Sequence, residues 1–212
     1  MAEEDSGASC HVYQVVVLKE GYSHCLENGD QVANGTISLV LGPHNIMVDT
    51  GNPWDGDDII KGLSKHGLTP SNIDYVIATH GHVDHIGNLN LFKQATHIVG
   101  FDICNGDKYA THPFKDGSNY EIDEYVSVIP TPGHTHSDVS VIVKSTKLGT
   151  VVIAGDLFEC MDDLKDPSIW QEVSENIELQ EANRKKVLKI ADVIIPGHGK
   201  MFQVTETKTQ NT

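Results

Sequence analysis

The sequence predicts an α/β fold in which two sheets pack face to face and helices cover the outer faces. Three observations lead there. Apolar runs of strand length come in two batches, and helical patterns follow each batch. Hydrophobic residues make up 39% of the chain and aromatics 6%, so the core is built mainly from Val, Ile and Leu, as buried strands favour. Histidines and aspartates stand where apolar strands stop, each beside Gly or Pro-Gly: His80/His82/Asp84/His85, His134, Asp156 and His198. Strand ends at one edge of such a sandwich converge in space, so these groups are expected to meet.

Residues 12–18 are a β-branched run and form a first strand. Residues 21–29 read as loop. Residues 36–41 alternate, turn at Gly42-Pro43 and pair with 45–48 as a hairpin. That strand ends in Asp49-Thr50-Gly51, where Asp49 either orients a ligand histidine from behind or closes an Asx turn. Residues 57–66 form an amphipathic helix with Ile59, Ile60 and Leu63 on one side, capped by Asp57 or Asp58 and ended by Gly67 and Pro70. Residues 75–78 are a short buried strand leading into the histidine-rich stretch. A short helix at 89–92 and a strand at 96–100 follow. From 102 to 119 the pattern dissolves into Gly, Asn, His and Pro. Long irregular segments are often binding loops, so this one is expected to wall the site, with His112 a loop residue. Residues 125–129 are a strand ending in Thr131-Pro132-Gly133-His134. Residues 139–143 and 150–153 form a hairpin that ends in Ala154-Gly155-Asp156. Residues 162–189 are helical apart from a break at Pro167, and 193–195 are a last strand running into Pro196-Gly197-His198-Gly199. Residues 1–9 and 205–212 read as flexible tails around one domain spanning 10–204.

Charge narrows the partners. Among 212 residues, 30 are acidic and 15 basic, for a net charge of −15. A chain this acidic does not hold long nucleic acid by general electrostatics, although a local basic patch is compatible with it. The candidate patch is Arg184-Lys185-Lys186 with Lys189; its alternative is a solvated helix face in which Glu181 and Lys185 pair at i,i+4. Cys10, Cys25, Cys104 and Cys160 form no C-x-x-C pair and read as free thiols of a reducing compartment. The N-terminus is acidic without an apolar signal core, and no run approaches the ~18 apolar residues of a membrane span. A soluble intracellular protein with no membrane partner is expected.

The densest chemistry lies in Ile77-Ala78-Thr79-His80-Gly81-His82-Val83-Asp84-His85-Ile86-Gly87. Imidazole nitrogen and carboxylate oxygen are ligands that zinc takes at about 2.0–2.2 Å. His80 and His82 alternate as strand residues do and can face one side; Asp84 and His85 lie past the turn and can face a second ion. With His134, Asp156 and His198 they give seven candidate ligands and an expectation of two Zn²⁺ per chain, a set that iron or manganese also suits. Two zinc ions sharing a water would lower its pKa from about 15.7 to about 7, making a nucleophile at neutral pH. Asp84 is placed both to ligate and to orient that nucleophile, and is the candidate catalytic residue. His11, His24, His44, His66 and His97 have no motif context, whereas His136 is a candidate for substrate contact.

These motifs resemble the metallo-β-lactamase superfamily. Its signature His-x-His-x-Asp-His stands here as His80-Gly81-His82-Val83-Asp84-His85, followed by single matches at His134, Asp156 and His198. The resemblance implies an αββα sandwich of two mixed sheets with helices on the outer faces. It implies His80, His82 and His134 at one metal, Asp84, His85 and His198 at a second, and Asp156 bridging both. The stretches 79–89, 149–159 and 191–199 are similar to a branch of the superfamily described as zinc-dependent endoribonucleases that trim the 3′ ends of replication-dependent histone pre-mRNA. That likeness implies an RNA substrate, a homodimer and a cytosolic and nuclear location. The alternative is a thioester hydrolase like glyoxalase II, which shares the same metal ligands.

Overall fold

The computed structural model describes residues 12–111 and 113–204. The first half of the chain supplies β1 (Gln14–Lys19), β2 (Tyr22–Cys25), β3 (Gln31–Asn34), β4 (Ile37–Leu41), β5 (Ile46–Val48), α1 (Gly56–Ser64), β6 (Tyr75–Ala78), α2 (Val83–Ile86), β7 (Thr96–Val99), β8 (Asp102–Asn105) and β9 (Lys108–Tyr109). The second half supplies β10 (Tyr120–Glu121), β11 (Val126–Pro130), β12 (Val139–Thr146), β13 (Gly149–Gly155), α3 (Ser168–Gln171), α4 (Ile177–Ile190), β14 (Val193–Pro196) and β15 (Phe202–Gln203). One sheet runs β1-β4-β5-β6-β7-β8-β9 and the other β10-β11-β12-β13-β14-β15, while β2 and β3 pair only with each other. Both large sheets are mixed. Strands β5, β6 and β7 run parallel in the first, and β13 and β14 in the second, with antiparallel neighbours around them.

Residue alternation explains the layers, because successive strand side chains point to opposite faces. Val40, Ile46, Val48, Ile77 and Ile98 meet Val128, Val141, Val143, Val151, Ile153 and Ile195 in the core between the sheets. Their neighbours in sequence point outward. Leu39, Met47 and Val76 pack with Ile59 and Leu63 of α1. Val152, Ala154 and Ile194 pack with Val187 of α4. The expected order of helix, sheet, sheet, helix is therefore present. Among the described residues no helix is long and apolar enough to cross a membrane.

Several local expectations change. Helix α1 buries Ile59, Gly62 and Leu63, but Ile60 is exposed, since at about 100° per residue it sits off the buried stripe. Asp55 holds the N-cap position without a side-chain cap bond, and Asp57 and Asp58 lie in the first turn, where they face the positive end of the helix rather than cap it. The 89–92 segment is a single 3₁₀ turn, Leu89–Leu91. Residues 21–29, read as loop, contain β2 and the turn of the β2–β3 hairpin, whose alternation is hidden by polar residues on both faces. The start of the 102–119 stretch extends the first sheet as β8 and β9. The expected tails fall outside the described residues, as does His112.

Ile77 lies fully buried between the sheets. Ile77→Ala is expected to cost about 2–5 kcal/mol, whereas Ile60→Ser should stay within about 0.5 kcal/mol. Urea unfolding of the two variants measures both; equal losses would contradict this division of core and surface.

Candidate metal centre

The C-terminal ends of β5, β6, β11, β13 and β14 meet at one edge of the sandwich. There the two halves are joined by backbone bonds, from Val139 N–H to Thr79 C=O (2.8 Å) and from Thr36 N–H to Gly197 C=O (2.7 Å). Each strand end delivers a polar side chain. His82 Nδ1 lies 2.9 Å from His80 Nε2 and 3.1 Å from His134 Nε2. Asp156 Oδ2 lies 3.5 Å from that His80 nitrogen and 3.3 Å from that His134 nitrogen. Beside this group is a second, in which His85 Nε2 and His198 Nε2 are each 3.8 Å from Asp84 Oδ2. Asp156 faces it as well, with Oδ1 3.2 Å from His85 Nε2 and Oδ2 3.2 Å from His198 Nε2. Four donors at about 2.0–2.1 Å from one ion would be about 3.3–3.4 Å apart, so these separations suit a cation in each group. Buried Asp84 Oδ2, His85 Nε2 and Asp156 Oδ1 have no hydrogen-bond partner, which a cation would provide. The donors thus fit divalent metal ions, and all seven candidate ligands are brought together.

The backs of the imidazoles set their fronts. Asp49 Oδ2 is 2.8 Å from His85 Nδ1 and accepts the Thr79 hydroxyl (3.0 Å), while its Oδ1 accepts the Thr79 N–H (2.7 Å). The carboxylate therefore reaches across the site and closes no Asx turn. Because the Thr79 hydroxyl donates to Asp49, it accepts from His80 Nδ1 at 3.1 Å, leaving His80 Nε2 free for a metal. His198 Nδ1 donates to the Asn34 carbonyl at 3.1 Å, with the same result. Asp49 holds a left-handed backbone conformation (φ 58°), a strain of about 1–3 kcal/mol for a residue other than glycine. The His134 turn is held by Asp138, which accepts the N–H groups of Gly133 (3.0 Å) and Thr135 (2.6 Å). Gly197 lies so close to Asp156 that any side chain there would overlap its carboxylate.

The two groups differ electrically. Burial, then the neighbouring imidazoles, holds His80 well below the usual histidine value; burial also lowers His134. Both are neutral and ready to ligate. Burial opposes the charged form of His85 and His198 too, but the Asp156 carboxylate outweighs it, lifting His85 well above its ordinary value and His198 to about 9. Burial would raise Asp156, yet His85, His198 and His80 hold it well below the carboxylate range.

Sequence reading missed Glu159. It is buried beside Asp156 and His198 and forms a third close group of donors with them. Burial, then the Asp156 charge, pushes its carboxyl up to about 9. The available signal was its place three residues after Asp156, on the turn that leaves β13. The site opens into a cavity of about 240 Å³ walled by Gln31 and Ala33 of β3 and by Val173, not by 102–119. A neighbouring hollow carries His136 and Glu175, and His136 is highly exposed. The candidate basic patch gives way to its alternative, the helix face with Glu181 and Lys185 paired, except that Arg184 turns inward. Arg184 is buried between the Phe158 and Trp170 rings and bonds Asp163 at 2.6 and 2.9 Å. It lies on the face of α4 that also buries Gln180 and Val187. Lys185 pairs with Glu181 at 2.9 Å on the solvated face.

Two mixed sheets between helices, with histidine and aspartate donors gathered at one strand-end edge, define a metallo-hydrolase. The chain belongs to the metallo-β-lactamase superfamily, whose family model matches residues 32–198. It is 45% identical over 194 residues to metallo-beta-lactamase domain-containing protein 1 of Xenopus laevis, covering 91% of this chain and 82% of that one. A Methanocaldococcus jannaschii protein named "Probable metallo-hydrolase" is 36% identical over 154 residues, covering 72% of this chain and 70% of that one. The mono-zinc crystal structure of the metallo-β-lactamase FIM-1 from Pseudomonas aeruginosa superposes with a TM-score of 0.61 at 19% identity, over 86% of this chain and 84% of that one. At that identity the likeness speaks for the fold.

A cation entering the second group must displace the protons that Asp156 holds on His85 and His198. Zinc uptake at pH 7.5 is therefore expected to release protons, seen as calorimetric heat that varies with the ionisation enthalpy of the buffer. The His198 share should fade as pH rises through about 9, where its imidazole is already neutral. Uptake at pH 7.5 without proton release would contradict the pairing.

Proposed function

We propose that the chain hydrolyses RNA phosphodiester bonds at this centre, with ions held by His80, His82, His134 and Asp156 on one side and by Asp84, His85, His198 and Asp156 on the other. The observation that carries this reading is the pair of adjacent donor groups sharing one carboxylate at an open cavity. Zinc, or iron or manganese, would supply Lewis acidity and lower the pKa of water to about 7. The chain's own residues do the rest. Asp84 is more accessible than Asp156, so it faces both the donor group and the incoming water. It orients that water and takes its proton as oxygen attacks phosphorus, then gives that proton to the ribose oxygen as the bond to this leaving group breaks. Asp49, Thr79 and Asn34 keep the imidazole fronts aimed while this happens. The sequence likeness to histone pre-mRNA endoribonucleases supports RNA as the substrate, and carries with it a homodimer in cytosol and nucleus.

One observation favours a second reading, hydrolysis of a thioester. The residues that line the cavity include Ala33, Val173, Glu159 and Asp84 but no Lys or Arg. Such walls suit a neutral carbonyl better than a polyanion.

Zinc-loaded protein incubated with single-stranded RNA and, separately, with a glutathione thioester separates the two. RNA cleavage is expected, reduced at least about 100-fold by Asp84→Asn and falling as pH drops, because protons compete with the ions first at His85 and His198, whose charged forms Asp156 favours. Turnover of the thioester alone would replace the first reading by the second.

A further inference from the structure

We propose that Glu159 is the carboxyl group that positions His134, its Oε1 accepting the Nδ1–H so that Nε2 faces His80, His82 and Asp156. This rests on the reading of the site as a metal centre. A ligating histidine almost always donates its other ring N–H to a carboxylate, carbonyl or water, which fixes its tautomer and aim. Three imidazoles of the cluster show such a partner: Thr79 for His80, Asp49 for His85 and the Asn34 carbonyl for His198. His134 does not, and its Nδ1 is buried without a hydrogen-bond partner. Glu159 Oε1 is likewise buried without one, and the two atoms lie 3.9 Å apart.

A donor and an acceptor, each buried and each unsatisfied, thus face one another. Leaving both unmade is costly, and a shift of about 1 Å brings them to hydrogen-bond distance. Only side-chain torsions need to move, because both backbones are anchored. Glu159 N–H donates to Asp163 Oδ2 (2.8 Å), and Glu159 C=O accepts from His198 N–H (2.8 Å). Asp163 is itself fixed by Arg184. On the other side, His134 C=O accepts from Glu175 N–H (3.2 Å), and Gly133 C=O from Asn176 N–H (2.8 Å). The buried pair of Arg184 and Asp163 therefore serves the site from outside it. It fixes the turn that carries Glu159, and through Glu159 the ring of His134.

Zinc binding by competition with a chromophoric chelator tests this without reference to turnover. Glu159→Leu, which removes the acceptor at similar volume, is expected to weaken one of the two zinc equivalents by about 10- to 100-fold. Glu159→Gln, which keeps an acceptor oxygen, should recover part of that loss. Should the leucine variant not fold, the zinc-loaded wild-type chain still decides. In its long-range ¹H–¹⁵N spectrum the His134 resonance, identified by its absence in His134→Gln, should show a slowly exchanging Nδ1 proton. Unchanged zinc affinity in Glu159→Leu, or a freely exchanging His134 Nδ1, would overturn the assignment. A wild-type chain that takes up no zinc would overturn the metal reading and this one together. Normal zinc uptake without RNA cleavage would leave the role of Glu159 standing and remove only the substrate.

Discussion

Everything at this edge of the sandwich is arranged around one buried carboxylate. Asp156 is nearly inaccessible, yet four imidazole nitrogens stand within 3.5 Å of its oxygens. An isolated carboxylate could not stay ionised there, because desolvation would push it to its neutral form. The surrounding histidines reverse that, and in doing so they divide into two kinds. Those against β6 and the His134 turn are neutral; those facing Asp84 share the charge of Asp156. One acidic side chain thereby makes two chemically different halves out of one cluster.

Holding these groups so close needs backbone that side-chain packing alone would not choose. The sheets are locked to each other at this edge by main-chain bonds between Thr79 and Val139 and between Thr36 and Gly197. Glycine at 197 admits the Asp156 carboxylate, and Asp49 bears a left-handed conformation to reach both Thr79 and His85. Strain and close approach gather where the donors are, while the sheet cores carry ordinary Val and Ile packing. Stability is supplied by the layers and partly consumed at their edge, which is where natural folds concentrate such departures.

How much of this was legible follows from what kind of signal each part leaves. Strand β6 and the His80–His85 run were plain because the apolar stretch and the ligand density both lie within a dozen residues. The convergence of distant strand ends at one edge followed from the repeated rule of an apolar strand stopping at Gly or Pro-Gly. The β2–β3 hairpin left no pattern, since its residues are polar on both faces and pair only with each other. Arg184 misled for a related reason. It stands beside two lysines in sequence, but a helix turns about 100° per residue and carries it to the buried face. Glu159 left only one mark, its place three residues after Asp156; that its carboxyl is buried behind His134 is set by the fold.

The charge of the chain bears on how such a centre can act. With a net charge of −15 and no Lys or Arg on the walls of the cavity, the protein would repel an anionic substrate until cations occupied the donor groups. Two divalent ions would bring about four positive charges to the floor of that cavity, close to where a scissile phosphate would rest. On the proposed reading, such ions would attract the substrate as well as polarise it. Affinity and reactivity come from one source, so a change that loosens an imidazole, at Asp49 or at Glu159, acts on both at once. On the proposed RNA reading, the ions would take the place of basic patches elsewhere on the surface. That economy fits an α4 whose one deeply placed cation, Arg184, is spent on Asp163 and the turn behind the site rather than on the solvent face.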